Sequence, residues 1–433
     1  MKRMKKITAL LLALCIVASS FLPNLALHAD AAGDAIYVLA GGDFQEAGDH
    51  SNSATNVTNI LSQISQKYKT MDGFLFIGDY DCETDDSATE TANGIATLMD
   101  TVDNTYTNLN HANSILVQGN HDYKDSNIDA TGGHDFDGYA AYVLNEDDYP
   151  NCGGSQTQIQ TLAKNLETWL NNKLGEGYDA PIFITSHLPL AFSPRTFTQG
   201  DAKYAKLIFD VLNTAADNGL NIIFLYGHDH AYGPDNYMGG EAVYLAEGKS
   251  IAIAEPGSQE AYTTETLNFT YMNAGYTGYY SEPGYVTNAG TKKLTMSVFK
   301  IENNQVTVER YSADGLYNMK SAGRDGSYSN TSVTASSLGL AIDTAVVPSP
   351  QTISLGTVET YGTIGEWVEV ASGTGTDDVK PSNEGWVELI SPVPGTEAVP
   401  GTPASTKYVY TLDTDGTVTD KANAAQGYLI VGS

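Results

Sequence analysis

Five short apolar runs in the first half of the chain alternate with segments of helical periodicity. The runs are Ala35–Ala40, Phe74–Ile77, Ile115–Gln118, Ile182–Thr185 and Ile222–Tyr226. Apolar runs of this length are typical of buried strands. Between them, apolar residues recur at three- and four-residue intervals, as they do on one buried face of a helix. The alternation predicts an α/β layered sheet.

After Tyr232 the chain changes character, because strand-like runs follow one another with few helical segments between them. These runs are Val243–Ala246, Ile251–Ala254, Leu294–Ile301 and Val306–Tyr311. We expect them to form a second sheet that packs on the first, so that one domain covers residues 32–325. The stretch Leu267–Tyr280 is dense in Tyr, Asn and Gly, and we expect it to be an ordered surface loop.

The last quarter of the chain has a different composition. Residues 326–362 are low in charge and rich in Ser, Thr and Gly, and we interpret them as a linker. Residues 363–433 contain two near-copies 19 residues apart, Gly365–Val370 and Glu384–Leu389, which predict a small β-rich module. The sequence leaves open whether this module is complete. We expect Trp367 and Trp386 to pack in its core, with contact to carbohydrate or cell wall as the alternative.

The first 31 residues have the layout of a secretory signal. Four cations among residues 2–6 precede the apolar run Ile7–Val17, and the small-residue exit Ala29-Asp30-Ala31 follows. The apolar run is too short to span a bilayer. Cys15 has Leu14 before it, where a lipoprotein signal would have Gly, Ala or Ser. We therefore expect cleavage near Ala31 and a freely secreted, extracellular protein.

Acidic residues dominate the charge of the chain. With 22 Lys and Arg against 52 Asp and Glu, the net charge is −30. Such a surface repels phosphate backbones and anionic lipid, so we expect neither a nucleic-acid partner nor membrane insertion. Only Cys82 and Cys152 remain after the signal. In an oxidising compartment they predict one disulfide, with two buried free thiols as the alternative.

Residues able to bind metal follow each of the five predicted strands. The segments are Gly42-Asp43-Phe44-Gln45, Gly78-Asp79-Tyr80-Asp81, Gly119-Asn120-His121-Asp122, Ser186-His187 and Gly227-His228-Asp229-His230. Ligands collect at the carboxyl ends of strands in an open α/β sheet, so these side chains are expected to converge. Oxygen and imidazole donors suit hard-to-borderline divalent or trivalent ions. Asp79 is the natural bridge between two of them.

Taken in order, these segments resemble the calcineurin-like metallophosphoesterase superfamily, in particular the dinuclear metal site of purple acid phosphatases with a variant first motif. The resemblance covers about residues 33–325. It implies a four-layer α/β/β/α sandwich, followed here by the linker and the small β-rich module. It also implies two metal ions, with Mn, Fe and Zn as the candidates.

Carried over position by position, the resemblance implies a role for each site residue. Asp43 and His230 would hold the first ion, Asp79 would be shared, and Asn120, His187 and His228 would hold the second. His121 would protonate the leaving oxygen or stabilise charge on the phosphoryl group. Asp122 would orient the His121 ring, with a plain turn residue as the alternative. Tyr80 and Asp81 are expected at the pocket rim or in solvent.

Two positions depart from the family pattern. Many members have His two residues after the first Asp, where this chain has Gln45, and purple acid phosphatases have Tyr three residues after the bridging Asp, where this chain has Cys82. Gln45 is a candidate metal ligand, although an amide oxygen binds more weakly than imidazole. Cys82 is a candidate thiolate ligand only if it is not in a disulfide.

The resemblance therefore implies a secreted phosphoesterase that hydrolyses small-molecule phosphate mono- or diesters by attack of a metal-bound hydroxide, with His121 assisting the leaving group. Asp135–Tyr149 and Phe192–Gly200 are expected to be loops around its pocket. The alternative is a catalytically weakened scaffold that acts as a surface binding or adhesion protein. The content of bound metal separates the two hypotheses.

Overall fold

Two β-sheets packed face to face form the centre of the fold. The structure, a computed structural model, describes residues 35–46, 52–81, 87–149, 154–190, 203–228, 244–257, 262–278, 294–320 and 346–358, and the backbone of three C-terminal strands. The predicted signal (1–31), Cys82, Cys152, His230, Trp386 and the loop 192–200 lie outside the described residues.

The first sheet has eight strands in the order β15-β14-β13-β1-β2-β3, with β12 beside β13 and β18 beside β14. Its strands are β1 (Ile36–Gly41), β2 (Gly73–Phe76), β3 (Ser114–Leu116), β12 (Gly275–Tyr276), β13 (Thr295–Glu302), β14 (Gln305–Ser312), β15 (Gly315–Leu316) and β18 (Gln351–Ser354). Strands β1, β2 and β3 run parallel, and β13 pairs antiparallel with β1. The carboxyl ends of β1, β2 and β3 therefore meet at one edge.

The second sheet has six strands in the order β4-β5-β6-β7-β11-β8. They are β4 (Gly132–Phe136), β5 (Tyr139–Leu144), β6 (Ile182–Ser186), β7 (Ile222–Tyr226), β8 (Tyr244–Leu245) and β11 (Thr270–Asn273). Strands β5, β6, β7 and β11 are parallel to one another. Two smaller pairs are β9 (Ser250–Ala254) with β10 (Tyr262–Thr266), and β16 (Met319–Lys320) with β17 (Val346–Val347).

Helices cover the outer face of each sheet. They are α1 (Ser53–Lys67), α2 (Ala88–Asp103), α3 (Gln156–Gly175) and α4 (Ala205–Asp217), with a short 3₁₀ turn at His111–Asn113. The apolar faces of α1 and α2 join the first sheet in one buried cluster, and those of α3 and α4 join the second sheet in another. Successive residues of a strand point to opposite faces. Accordingly, Phe183 of β6 packs against Phe299 of the first sheet, whereas Ile182 and Ile184 lie in the helix-side cluster. The predicted four-layer α/β/β/α arrangement is confirmed.

The five apolar runs are all strands, but they do not share one sheet. The first three are β1 to β3 of the first sheet, and the last two are β6 and β7 of the second. The runs after 232 also divide: β13 and β14 complete the first sheet, and β8 lies at the edge of the second. Periodicity identifies a buried strand but carries no information on which sheet buries it, and this explains the difference.

Two segments expected to be loops are buried strands. Leu267–Tyr280 contains β11 and β12, and Tyr271, Met272 and Tyr276 in it are at most 1% exposed. Asp135–Tyr149 contains β5, all six of whose residues are buried. The expectation that these segments are loops was wrong because Tyr side chains bury their rings in sheets as readily as aliphatic ones.

Residues 346–358, within the predicted linker, pack on the first domain. Strand β18 adds to β14 from Gln351 to Ser354, and Asn221 exchanges hydrogen bonds with the backbone of Gly356. This part of the linker therefore extends the domain beyond residue 325.

In the C-terminal part, β19 (Trp367–Glu369) and β20 (Val387–Ile390) both pair antiparallel with β21 (Tyr428–Val431). The two near-copies thus contribute strands that flank the final strand on either side. No helix in the described part of the chain is both long enough and apolar enough to cross a membrane.

Candidate metal centre

The loops that follow β1 and β2 run side by side and bring two carboxylates together. Asp43 donates its backbone N–H to the carbonyl of Gly78 at 3.0 Å, and Gln45 donates to the carbonyl of Asp79 at 2.9 Å. These bonds continue the parallel pairing of β1 with β2 past the ends of the strands. Both Asp43 and Asp79 are fully buried. Two buried carboxylates at one sheet edge require compensating positive charge.

The second sheet supplies two imidazoles to the same place. His187 follows β6, and its Nε2 lies 3.2 Å from Oδ1 of Asp79. His228 follows β7, and its backbone N–H donates to Oδ1 of Asp43 at 2.9 Å. The two rings are 5.1 Å apart between centroids, and both residues are fully buried. The centre therefore forms only where the two sheets meet.

Asn120, from the loop after β3, completes this group. Its Oδ1 lies 3.0 Å from Nε2 of His187 and 2.7 Å from Nδ1 of His228. His187 uses its other ring nitrogen, Nδ1, to donate to the carbonyl of Ile77 at 2.7 Å. A carbonyl only accepts, so this bond fixes the ring with Nε2 directed at Asn120 and Asp79.

The charges at the centre attract a cation. Burial raises the pKa of Asp79, but the positive charge on His187 and on His121 lowers it by more, to well below its ordinary range. For His187, burial lowers the pKa, yet the Asp79 carboxylate outweighs it and raises the pKa to about 10. A proton on His187 thus meets the charge requirement of the carboxylates, a requirement that a bound metal ion would also meet.

The donor set fits metal ions of the predicted kind. One ligand atom each from Asp43, Asp79 and His187 lies within 4.8 Å of the others. The backbone approaches these atoms closely at two glycines. A Cβ at Gly119 would lie 2.2 Å from Oδ1 of Asp79, and one at Gly227 would lie 2.9 Å from Oδ2 of Asp43. The donors among the described residues are buried oxygen and imidazole groups, which suit Mn, Fe or Zn.

Four residues of the centre adopt a left-handed backbone conformation, which is rare outside glycine. They are Asp43, Gln45, Asp79 and His228, with φ between 51° and 63°. Among the described residues only two other non-glycine residues have positive φ, Asn303 and Asn304 in the turn between β13 and β14. Such conformations cost of order 1 kcal/mol or more each and are concentrated at functional sites.

Gln45 lies within the centre and is 3% exposed. Its Nε2 is 3.5 Å from Oδ2 of Asp79, so the amide nitrogen faces the carboxylate. Ligation by Gln45 would require its Oε1, and the sequence-based assignment of Gln45 as a ligand stays a prediction. The assignment of His230, beyond the described residues, stays one as well.

His121 and Asp122 occupy different positions relative to the centre. The backbone N–H of His121 donates to Oδ1 of Asp79 at 3.1 Å, so this half-buried residue lies directly beside the predicted shared carboxylate. The carboxylate of Asp122 is instead engaged by backbone N–H groups of the loops after β2 and β3. Tyr80 and Asp81, expected at the rim, are fully buried.

The fold is an α/β/β/α sandwich with a buried centre of carboxylates and imidazoles where its sheets meet. This combination is that of a metal-dependent phosphoesterase. Residues 36–232 match the family model described as calcineurin-like phosphoesterase, and this segment belongs to that family. No curated protein matches the sequence.

Three solved structures are similar to the chain at low identity. One is a dimetal phosphatase from Danio rerio, with 11% identity, 65% of this chain and 98% of that chain covered, and a TM-score of 0.39. Another is GAP50, the anchor in the inner membrane complex of Plasmodium, with 9% identity, 67% and 89% coverage, and a TM-score of 0.39. A conserved predicted phosphoesterase from Streptococcus pneumoniae has 12% identity, 67% and 98% coverage, and a TM-score of 0.27.

Proposed function

We propose that this protein is a secreted phosphoesterase that holds two metal ions and hydrolyses small phosphate mono- or diesters. The observation that carries the proposal is the meeting of Asp43, Asp79 and His187 within 4.8 Å, with Asn120 and His228 in contact with the same group. Secretion rests on the N-terminal signal pattern.

We assign each predicted ligand to one or both of the proposed metal ions. Asp43 and His230 would hold the first ion, Asn120, His187 and His228 would hold the second, and Asp79 would be shared between them. When bound, two such ions supply Lewis acidity and an activated water near neutral pH. Asp43 and Asp79 contribute two negative charges, fewer than two divalent ions bring, so the loaded centre attracts a phosphate group although the protein as a whole is acidic.

His121 is the proposed proton donor. Its backbone is bonded to Oδ1 of Asp79, which places the residue at the edge of the centre. The residue is half-buried, so part of it is exposed to solvent. We assign the ring the transfer of a proton to the leaving oxygen, a contribution of about 10²–10⁴ in rate when one side chain provides it.

The test is an activity panel on the full chain. After chelation, Mn, Fe or Zn is added back and hydrolysis of phosphomonoesters and phosphodiesters is measured, together with the metal content. We expect activity to require metal and His121→Ala to keep the metal while losing most of the turnover number. His111→Ala, which changes an exposed histidine in the 3₁₀ turn before β3, is the control. Full activity in His121→Ala would refute its assigned role.

The same metal analysis addresses the alternative of a binding scaffold. Two tightly bound ions per chain and metal-dependent turnover support the phosphoesterase. A chain that binds no metal at any concentration tested, and hydrolyses no ester of the panel, would refute the proposal in favour of a scaffold. Under this alternative, carbohydrate or cell-wall contact would be made by the C-terminal near-copies.

A further inference from the structure

Asp122 gathers an unusual number of backbone donors on one carboxylate. Its Oδ2 accepts the N–H groups of Asp79 and Gly119, both at 2.7 Å. Its Oδ1 accepts the N–H of Tyr80 at 2.8 Å and that of Asp81 at 3.3 Å. The residue is 7% exposed. A single buried side chain thus ties the loop after β2 to the loop after β3.

The backbone at this point has the form of an anion-binding nest. Residues 79, 80 and 81 direct three successive N–H groups to the same carboxylate, and Asp79 has the left-handed φ of 57° that turns its N–H inward. Converging N–H groups create a positive concavity that an anion fills. Without an anion, three buried donors would be left unsatisfied, at a cost of about 1–3 kcal/mol for each.

Asp122 is linked to the opposite sheet through Gln118. Gln118 donates its side-chain N–H to the carbonyl of Asp122 at 3.1 Å, and the backbone N–H of Gln118 donates to Oδ1 of Asn145 at 2.8 Å. Asn145 follows β5 in the second sheet and is 6% exposed. The contacts therefore continue from Asp122 to the sheet that carries His187.

We propose that Asp122 is a positioning residue that holds the left-handed turn at Asp79, and with it the carboxylate that would be shared by the two proposed metal ions. This inference rests on the proposed site but not on its turnover. It replaces the sequence-based role in which Asp122 orients the His121 ring, because the four N–H groups occupy both carboxylate oxygens. The effect on catalysis is then indirect, through the placement of Asp79.

The test compares Asp122→Asn with Asp125→Asn in the full chain. Asp125 lies three residues on, and its carboxylate accepts hydrogen bonds from the backbone and side-chain N–H groups of Asn127 in its own turn. In Asp122→Asn the amide offers one acceptor atom and one donor group to the four backbone N–H donors, so we expect the hydrogen bonds of the nest to weaken.

In metal-free protein we expect the amides of residues 79–81 and 119 to exchange hydrogen at least about tenfold faster. Mn²⁺ affinity, measured by chelator competition, should fall about 10–100-fold. This is the usual loss when a group that hydrogen-bonds to a metal ligand is mutated. Asp125→Asn should match the wild type in both.

Other outcomes separate this inference from its alternatives and from the proposed function. If Asp122→Asn leaves amide exchange and Mn²⁺ affinity unchanged and alters only turnover or its pH profile, the carboxylate acts on His121 or on substrate. Should Asp122→Asn not fold, Asp122→Glu keeps the charge on a longer side chain. It should fold with faster exchange confined to the same four amides, and unchanged exchange would overturn the inference. A wild-type chain without phosphoesterase activity would refute the proposed function while leaving both readouts intact.

Discussion

At the scale of single residues, the centre depends on backbone conformations that side-chain type alone does not favour. Asp43 and Asp79 keep φ values of 53° and 57° because neighbouring groups fix them. The N–H of Asp43 is bonded to Gly78, and its carboxylate accepts the N–H of His228. The strain is thus distributed over a bonded network, in which each member limits the movement of the next.

A buried carboxylate away from the centre, Glu309, shows what charge contributes to the stability of the first sheet. Its side chain is 4% exposed and accepts from Lys67, from Tyr68 at 2.8 Å and from Tyr311 at 2.6 Å. Burial raises the pKa of Glu309, but the hydrogen bonds from Lys67, Tyr311 and Tyr68 lower it by more, so that it lies below its ordinary value.

We predict that Glu309→Gln destabilises the protein by about 1–3 kcal/mol near neutral pH, because an amide cannot accept from all three donors. The contribution of a carboxylate with a lowered pKa is complete above the pKa of an unfolded-chain glutamate, about 4.3. It disappears as the pH falls through the lower pKa of the folded state. Urea unfolding of both proteins between neutral and acidic pH measures this difference.

Glu302→Gln is the matched control for this prediction. Glu302 pairs with Lys300 on the same sheet, but its side chain is 37% exposed, and exposed ion pairs contribute little. We expect no measurable loss of stability. A difference between wild type and Glu309→Gln that is the same at all pH values would show that packing, not charge, is responsible.

The sequence predicts the members of the candidate centre better than their contacts. Asp43, Asp79, Asn120, His187 and His228 were identified because each follows an apolar run, and strand ends are where ligands collect. The contacts of Asp122 could not be foreseen, since they involve backbone N–H groups about 40 residues away. The burial of Tyr80 likewise depends on a helix packed above the loop, which periodicity does not place.

At the scale of elements, buried aromatic residues lie in a strand whose composition suggests an exposed loop. Tyr271 of β11 stacks on Tyr226 of β7 at 4.7 Å and on Phe224 at 5.5 Å between ring centroids. Oδ1 of the neighbouring Asn273 is bonded within the fold, where it accepts the N–H of Gly275 at 2.9 Å. A Tyr- and Asn-rich segment therefore looks exposed by composition, and the β propensity of Tyr is the signal that could have identified it.

Helix α2 approaches the loop after β2 closely at Gly94. A Cβ at this position would lie 2.4 Å from the carbonyl oxygen of Tyr80, which belongs to the nest around Asp122. Alanine is the better helix former by about 1 kcal/mol. We nevertheless predict that Gly94→Ala lowers stability, because neither the helix nor the bonded loop can give way without cost. It should also weaken Mn²⁺ binding, and chelator competition measures that effect.

Gly175, the last residue of α3, is the matched control for Gly94. A Cβ there would meet nothing within 4 Å, and its φ is not in the left-handed region. We expect Gly175→Ala to be neutral or to raise the free energy of unfolding by up to about 1 kcal/mol. If Gly94→Ala proved as stable as Gly175→Ala, the close packing of α2 on the Tyr80 loop would be refuted.

At the scale of the whole molecule, the centre is a property of two sheets and not of one. The first sheet contributes Asp43, Asp79 and Asn120, and the second contributes His187 and His228. Any change that lets the sheets slide would separate carboxylates from imidazoles. The apolar contact between them, including Phe183 against Phe299 at 5.0 Å, therefore supports the site as well as the fold.

The net charge of −30 is the whole-molecule property that acts on substrate before it reaches the centre. Under the proposed function, surface carboxylates repel anionic esters, whereas a metal-loaded centre would attract them at short range. Salt screens charges more than about 8–10 Å apart and leaves close contacts largely intact.

We therefore predict that kcat/KM for a polyanionic phosphate ester rises several-fold when moderate salt is added to a low-salt buffer, while kcat changes little. A singly charged diester should show a smaller rise under the same conditions. Steady-state rates for both substrates across a salt series, at constant free metal, measure the effect. A flat or falling kcat/KM for the polyanion would mean that the acidic surface exerts no control over substrate approach.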